Sequence, residues 1–137
     1  MGKHLGMCPG AGSDPRLVVA VSLPAEPSSV RRARQLTRST LNGRECVDLA
    51  ELVVSEMVTN ALQHAGGVCT LRLQYWPGRV RLEVEDGNPV LPVPSRSPPD
   101  AMQSSGRGLR VIEAVTDRNG ANELPDGKLM WAEFDCP

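Results

Sequence analysis

Two runs of alternating side chains, separated by a Pro-Gly turn, constrain the fold of this chain more than any other feature. From residue 69 to 75 every second residue is apolar, and the same alternation returns from 80 to 84, after Pro77 and Gly78. A period of two places alternate side chains on opposite faces of a strand, and Pro-Gly is a common turn between strands. The two runs therefore predict an antiparallel hairpin in a sheet that helices cover on one face only.

The longest helical pattern spans residues 45–64. No Gly or Pro interrupts it before Gly66 and Gly67, where a helix is expected to stop. At about 100° per residue its apolar side chains share one broad face. That face consists of Ala50, Val54, Met57, Val58, Ala61 and Ala65.

Three polar residues interrupt the apolar pattern of this helix. Glu56, Asn60 and His64 follow one another at intervals of four, so they stack along one edge. On a helical wheel Asn60 falls between Leu49 and Val53, which is unusual for a solvated row. Either the polar face of an amphipathic helix begins there, or the row is a pocket wall. In a pocket wall the carboxylate can take a proton and the amide oxygen can hold a hard cation.

The segments before this helix are predicted to form a strand and a first helix. Residues 17–23 are a Val-rich strand candidate, and residues 29–41 form a helix that Ser28 or Ser29 can cap. The arginines of this helix are expected on its solvated face, namely Arg31, Arg32, Arg34 and Arg38.

The segments after the first hairpin predict a further helix and a closing hairpin. Gly106-Arg107-Gly108 opens a helix over residues 109–115, and residues 118–124 and 128–134 form the hairpin around Pro125-Asp126-Gly127. The resulting order is β-α-α-β-β-lid-α-β-β. It predicts an α/β (α+β) two-layer sandwich with a mixed, mostly antiparallel sheet covered on one face by helices.

The length of 137 residues predicts a single domain. Residues 1–15 are rich in Gly and Pro without periodicity, so they are interpreted as a disordered leader, and residues 16–137 as the domain. Residues 87–105 contain five prolines and no apolar periodicity. A segment of this length in a small domain is interpreted as a lid loop.

Charge and cysteine usage narrow the class of protein. A net charge of −1 gives no electrostatic footprint for nucleic acid, and no apolar run reaches membrane-spanning length. The sequence has no signal-peptide pattern either, so a cytoplasmic protein with reduced thiols is expected. The cysteines are far apart and form no CxxC, which disfavours zinc. Cys46 and Cys69 are interpreted as small core residues, whereas a pairing of Cys8 with Cys136 stays open.

Two further signals lie at the ends of predicted elements. Asp86 ends a buried strand where the proline-rich loop begins, and a carboxylate there can accept hydrogen bonds from an exocyclic amine. Asp-Gly-Asn-Pro is also a common turn sequence. Gly106 and Gly108 stand at a helix N-terminus, where free N–H groups suit phosphate, although a single GxG often marks only a tight helix entry.

In this order the signals resemble the GHKL family of ATPases and kinases. More narrowly, they resemble the small bacterial anti-sigma-factor serine kinases and the related stand-alone histidine-kinase-like ATP-binding regulators. Residues 55–65 are similar to the family's N box, 86–92 to its adenine-binding box, 105–109 to its second glycine box, and 128–134 to its closing strand. The resemblance covers roughly residues 17–134 and implies a Bergerat-type ATP-binding fold with ATP and Mg²⁺ as cofactors.

The resemblance also implies roles for individual residues. Glu56 would orient or deprotonate the attacking hydroxyl as the general base. Asn60 would hold Mg²⁺ across the ATP phosphates, and Asp86 would accept the adenine amine. Gly106 and Gly108 would wrap the phosphates together with the lid. The other nucleotide-binding positions implied by the boxes are His64, Asn88, Arg107 and Leu109.

Two departures from the family pattern affect the functional interpretation. Asn88 and Val90 stand where the adenine box often has glycine, and Leu129 stands where the closing strand frequently has a hydroxyl residue. ATP binding is therefore better supported than phosphate transfer.

Three functions remain open. The first is a serine/threonine kinase that phosphorylates an anti-anti-sigma (STAS-type) partner and sequesters a sigma factor, thereby regulating transcription. The second is a non-catalytic ATP-sensing or sequestering regulator, and the third is a domain without nucleotide. A histidine kinase is disfavoured, because no phosphoacceptor helix precedes the domain. The resemblance alone makes a homodimer plausible.

Overall fold

The computed structural model describes residues 14–65, 67–91 and 104–137. In these segments the chain forms five strands and three helices in the predicted order, and the two-layer sandwich is confirmed. The elements are β1 (Leu17–Leu23), α1 (Ser28–Thr40), α2 (Val47–Ala65), β2 (Cys69–Trp76), β3 (Gly78–Asp86), α3 (Ser104–Val115), β4 (Arg118–Leu124) and β5 (Gly127–Cys136). Residues 1–13 of the predicted leader and 92–103 of the predicted lid lie outside the described residues.

The sheet has the strand order β1-β2-β3-β5-β4. The predicted hairpins are β2–β3, which pairs Leu73 with Leu82, and β4–β5, which pairs Ala121 with Met130. All four pairings are antiparallel, so the expected mixed character is not found in the described strands. The reason is that two successive helices, α1 and α2, return the chain to the end of the sheet where β1 finished.

One face of the sheet and the three helices enclose the core. Alternate residues of β3 and β5 point inward, among them Val80, Leu82, Ala132 and Phe134, which are almost fully buried. The predicted apolar face of α2 is confirmed where side chains are described, at Ala50, Val54, Met57, Val58 and Ala61. Burying each of the larger side chains contributes roughly 1.5–3 kcal/mol, so this shared core fixes α2 across the sheet.

The other face of the sheet, here called the outer face, carries charged and aromatic side chains. Arg81 donates to Glu83 and to the fully buried Glu133, and its guanidinium lies 4.7 Å from the ring centroid of Trp131. A Cβ on Gly120 would lie 2.9 Å from the indole of Trp131, so only glycine leaves room for this ring. The predicted wet face is thus an ordered layer of charges and rings.

The helix starts differ from the predictions. Pro27 occupies the N-cap of α1 without a side-chain cap, and the Ser29 hydroxyl donates to the Pro24 carbonyl instead. The predicted serine cap is therefore wrong. α3 begins at Ser104, so Gly106 and Gly108 lie within its first turns rather than ahead of it. Glycine inside a helix is less stable than alanine by about 1 kcal/mol. For that reason the GxG motif, considered in the sequence alone, indicates the boundary of the helix.

A disulfide joins Cys46 to Cys136, with 5.0 Å between their Cα atoms. The prediction of reduced thiols is wrong for this pair, and the open pairing of Cys136 with Cys8 is excluded. Cys8 itself lies outside the described residues. Cys46 precedes α2 and Cys136 ends β5, and the packing of α2 on the sheet brings them together across 90 residues of sequence. Among the described cysteines, Cys69 is a free, buried thiol, as predicted.

No helix in the described part of the chain is long and apolar enough to cross a membrane.

Candidate functional site

Asn60, the middle residue of the polar row of α2, is buried, whereas Glu56 is half-buried and His64 is exposed. Asn60 is 4% exposed, and its Nδ2 donates to the sulfur of Met130 at 3.5 Å. Its Oδ1 is buried and has no hydrogen-bond partner among the described residues. Buried acceptors are rarely left unpaired, because an unmade hydrogen bond costs about 1–3 kcal/mol. This favours the pocket-wall interpretation of the row over the amphipathic one.

Glu56, one turn before Asn60, lies against the first turns of α3. A Cβ on Gly108 would lie 2.8 Å from Glu56 Oε1, so glycine at this position lets the carboxylate approach the backbone of α3 closely. The carboxylate of Glu56 and the glycine motif of α3 are thus neighbours, as the sequence interpretation requires. The free N–H groups at the start of a helix attract negative charge, so this end of α3 suits a carboxylate or a phosphate.

Asp86 ends β3 directly opposite Lys128 in the β3–β5 register. Both side chains are buried, Asp86 at 5% and Lys128 at 1% exposure. The Lys128 ammonium donates to Asp86 Oδ1 at 3.0 Å and to the Asn88 carbonyl at 3.2 Å. Asp86 Oδ2 also lies 3.0 Å from the ammonium, yet it accepts no hydrogen bond of good geometry within the described structure.

Asn88 connects the end of β3 to the end of α2. Its backbone N–H donates to Asp86 Oδ1 at 2.8 Å, and its Nδ2 donates to the His64 carbonyl at 2.7 Å. The second bond satisfies one of the carbonyls that a helix C-terminus leaves without a partner. Asn88 thus has a structural role that glycine, with no side-chain amide, cannot fill. The His64 side chain is exposed, and the contact with Asn88 is made by its backbone carbonyl.

Cys69 is the first residue of β2, and it lies close enough to Asp86 for the charge of that carboxylate to affect the pKa of the thiol. Burial, followed by the negative charge of Asp86, raises the pKa of the Cys69 thiol. Neutral thiol is therefore the favoured form, and Cys69 is an apolar part of the site's surroundings.

The structure places most of the predicted site residues along α2 between its middle and its C-terminal end. They form three separate contacts: Glu56 with Gly108, Asn60 with Met130, and Asn88 with Asp86 and the His64 carbonyl. Leu109 is instead mainly a core residue. The backbones of Gly106 and Arg107 belong to the first turns of α3, and their side-chain positions lie outside the described structure.

The sequence interpretation missed Lys128 as a member of the site. A signal was present, because Lys128 has the same alternation phase as Met130, Ala132 and Phe134, which point into the core. A lysine in phase with buried residues requires an acidic partner, and the residue opposite it in the sheet is Asp86.

A family model for the histidine kinase-like ATPase domain matches residues 23–132, well over half of the chain. The chain belongs to this family. The GHKL membership inferred from the N box, adenine box and glycine box is thereby confirmed. No curated protein matches the chain.

A solved structure places this ATPase domain among proteins of the same fold. It contains the RsbU and RsbW domains of Rv1364c from Mycobacterium tuberculosis, with a TM-score of 0.64 and 20% sequence identity. The match covers 89% of this chain and 33% of the other, so the chain spans about a third of the matched protein chain. At this identity the likeness shows the fold alone.

The residues present in this histidine kinase-like ATPase domain fit a nucleotide with its metal ion. The free Oδ1 of Asn60 is an oxygen ligand of the kind Mg²⁺ accepts. In the described segments no three His, Cys, Asp or Glu side chains are grouped to hold a metal by themselves.

Proposed function

We propose that this domain binds Mg-ATP and transfers its terminal phosphate to a serine or threonine of a small protein partner. In the narrower assignment the partner is an anti-anti-sigma protein of STAS type, and the domain also sequesters a sigma factor. The family match supports ATP as the ligand. The narrower assignment rests on the resemblance of the N box and the glycine box, and homodimer formation stays a prediction.

The observation that carries the proposal is a buried oxygen atom without a hydrogen-bond partner in the described structure, Asn60 Oδ1. Asn60 contacts Met130, which pairs with Val84, two residues before Asp86. The amide oxygen and the Asp86 carboxylate, which is paired with Lys128, therefore lie at the same end of the core. A ligand cation would remove the cost of the unmade hydrogen bond at Asn60. Mg-ATP offers a cation to the amide oxygen and an exocyclic amine to the carboxylate.

Each residue of the site has a separate task in the proposed reaction. Asp86 selects the base, and Asn60 holds the metal, which neutralises phosphate charge when bound. Glu56 accepts the proton of the attacking hydroxyl, and the start of α3 provides N–H groups for the phosphates. Phosphoryl transfer depends mainly on positioning and charge neutralisation, and this arrangement supplies both.

Calorimetry with ATP, with and without Mg²⁺, tests the binding step. We expect Mg²⁺-dependent binding to the wild type, loss of the Mg²⁺ dependence in Asn60→Ala, and at least tenfold weaker binding in Asp86→Asn. Glu45→Gln, an exposed acid beside Cys46 at the opposite end of α2, is the matched control and should bind like the wild type. A folded wild type that binds no nucleotide would refute the proposal.

Phosphate transfer is tested with the Glu56→Gln variant. A general base contributes about 10²–10⁴-fold, so this variant should bind Mg-ATP but transfer phosphate to a cognate partner at least a hundredfold more slowly. If the wild type binds Mg-ATP but phosphorylates no cognate anti-anti-sigma partner, the kinase activity is wrong and ATP binding stands.

The alternative function is an ATP-sensing or sequestering regulator without catalysis. It is favoured by Asn88, which ties the loop after β3 to α2, and by Leu129 at the hydroxyl position of the family. Under this alternative Glu56→Gln leaves the regulatory output unchanged, whereas Asp86→Asn abolishes its dependence on ATP.

A further inference from the structure

Lys128 is a buried ammonium group at the end of an apolar row. On the inner face of the sheet, β5 presents Phe134, Ala132 and Met130, and the row ends with Lys128, which is 1% exposed. On β3 the corresponding row ends with Asp86. This cross-strand pair is thus the polar end of two apolar rows, and it lies at the proposed nucleotide site.

The contacts of this ammonium are confined to one short segment. Among the described residues they are Asp86 Oδ1 and Oδ2, each at 3.0 Å, and the carbonyl oxygen of Asn88 at 3.2 Å. Burial of a charged pair requires these compensating contacts, because desolvation of both ions opposes it. An apolar pair at these positions would extend the core without that penalty. Stability alone therefore does not explain the lysine.

The two oxygens of Asp86 are in different situations. The Lys128 ammonium lies 3.0 Å from both oxygens, and Oδ1 also accepts a hydrogen bond from the backbone N–H of Asn88. The ammonium thus holds the carboxylate in one orientation and balances its charge. Oδ2 has no second partner in the described structure, so it is the oxygen that can accept from a ligand.

We propose that Lys128 is the positioning residue for base selection: it anchors Asp86 so that Oδ2 is the acceptor for the 6-amino group of adenine. This inference rests on the proposed nucleotide binding and adds a determinant of its specificity. A carboxylate that is already fixed loses no rotational freedom when the ligand binds, so a ligand that donates a hydrogen bond at that point binds more tightly. Such a carboxylate rejects a base that presents a carbonyl oxygen there, because two acceptors would then face each other unpaired.

The test separates base selection from affinity by changing the ligand as well as the protein. We measure the dissociation constants of ATP and of purine riboside triphosphate, which lacks only the 6-amino group, by calorimetry. In the wild type the amine should strengthen binding about tenfold or more. In Lys128→Met the ratio of the two constants should fall to within about twofold of one, because only the backbone N–H of Asn88 then holds Asp86, through Oδ1, and the carboxylate can turn about that bond.

Two further variants keep the test decisive. Lys128→Gln retains a hydrogen-bond donor without the charge, and it should show an intermediate ratio even if Lys128→Met does not fold. Thr37→Val removes a buried hydroxyl on α1 that donates to the Ala33 carbonyl, far from this segment. It lowers stability without touching the site, so its ratio should equal that of the wild type.

The outcomes distinguish the two levels of the proposal. If the wild type binds neither triphosphate, the proposed function fails, and the inference about Lys128 fails with it. If the wild type prefers ATP and Lys128→Gln keeps the full preference, nucleotide binding stands and Lys128 is only structural. Equal weakening of both ligands in Lys128→Met, with the ratio unchanged, would overturn the inference in the same way.

Discussion

Breaking the disulfide between Cys46 and Cys136 should lower the stability of the domain and leave its nucleotide site intact. The bond closes a loop with a sequence separation of 90 residues. In the chain-entropy model, a cross-link of this span reduces the entropy of the unfolded chain enough to contribute about 4.6 kcal/mol at 25 °C. For a chain of this size the loss corresponds to a fall in Tm of about 15 °C.

The site should be unaffected because the disulfide lies at the other end of α2. About 13 residues of helix separate Val47, next to Cys46, from Asn60, which is roughly 20 Å at the helical rise. The free energy of unfolding is measured by urea denaturation of the oxidised protein, the reduced protein and the Cys46→Ala/Cys136→Ala double variant. The affinity for ATP is measured on the same three samples under conditions where each is folded.

Cys69→Ala is the matched control, since it removes a buried sulfur that belongs to no cross-link. It should cost about 1 kcal/mol and respond to reductant like the wild type. A reduced protein that loses less than about 1 kcal/mol would refute the entropic reasoning. A loss of affinity for ATP in the folded, reduced protein would refute the expectation that the disulfide at one end of α2 has no effect on the nucleotide site.

Three further predictions concern close packing and titration. Gly108→Ala places a Cβ 2.8 Å from Glu56 Oε1, the end of a flexible side chain that can turn away. We therefore expect little change in stability by urea denaturation but slower phosphate transfer, because the carboxylate is displaced. Gly120→Ala places a Cβ 2.9 Å from the rigid indole of Trp131, so we expect a loss of about 1–3 kcal/mol of stability and an altered near-ultraviolet circular dichroism signal. Because the pKa of Cys69 is raised in the folded state, its stabilising contribution is complete below the ordinary thiol pKa of about 8.5. That contribution is lost as pH rises through the raised value, which urea denaturation at increasing pH measures.

The controls for these predictions use the same chain. Gly67→Ala adds a methyl group where nothing lies within 4 Å, so it should change stability little. A loss of stability in Gly67→Ala equal to that in Gly120→Ala would show that the close contact with Trp131 does not cause the effect at Gly120. Cys69→Ala should show a smaller fall in stability at alkaline pH than the wild type, and an identical fall would assign the titration to other groups.

The sequence predicted those parts of the fold that depend on local periodicity. The alternation around Pro77 and Gly78 gave the β2–β3 hairpin, and the apolar face of α2 was placed correctly because burial follows the helical repeat. Asn60 was singled out because it interrupts that repeat, and the structure shows it buried. Periodicity reports burial whenever one face of an element meets the core.

The parts that were missed depend on contacts between distant segments. The Cys46–Cys136 bond joins residues 90 apart, and no local pattern carries that information. The earlier start of α3, at Ser104, places two glycines inside the helix despite their poor helix propensity, and no local pattern indicates it. Two inferences were needed to place Lys128 in the site. The first is that its position in the alternation of β5 points it into the core, and the second is that the register of β5 with β3 puts it opposite Asp86.

The two faces of the sheet decide what tryptophan fluorescence can report. Both tryptophans belong to the outer face: Trp76 is paired with Arg79 in the register, and Trp131 is stacked on Arg81. The proposed nucleotide site faces the helices on the other side of the sheet. Trp131 also lines a cavity with Met57 and Met130, next to Asn60, so its emission should respond to ATP, whereas the emission of Trp76 should change little. A protein that docks on the outer face will quench or shift both. Trp76 is thus a built-in optical probe for partners that is nearly blind to the nucleotide.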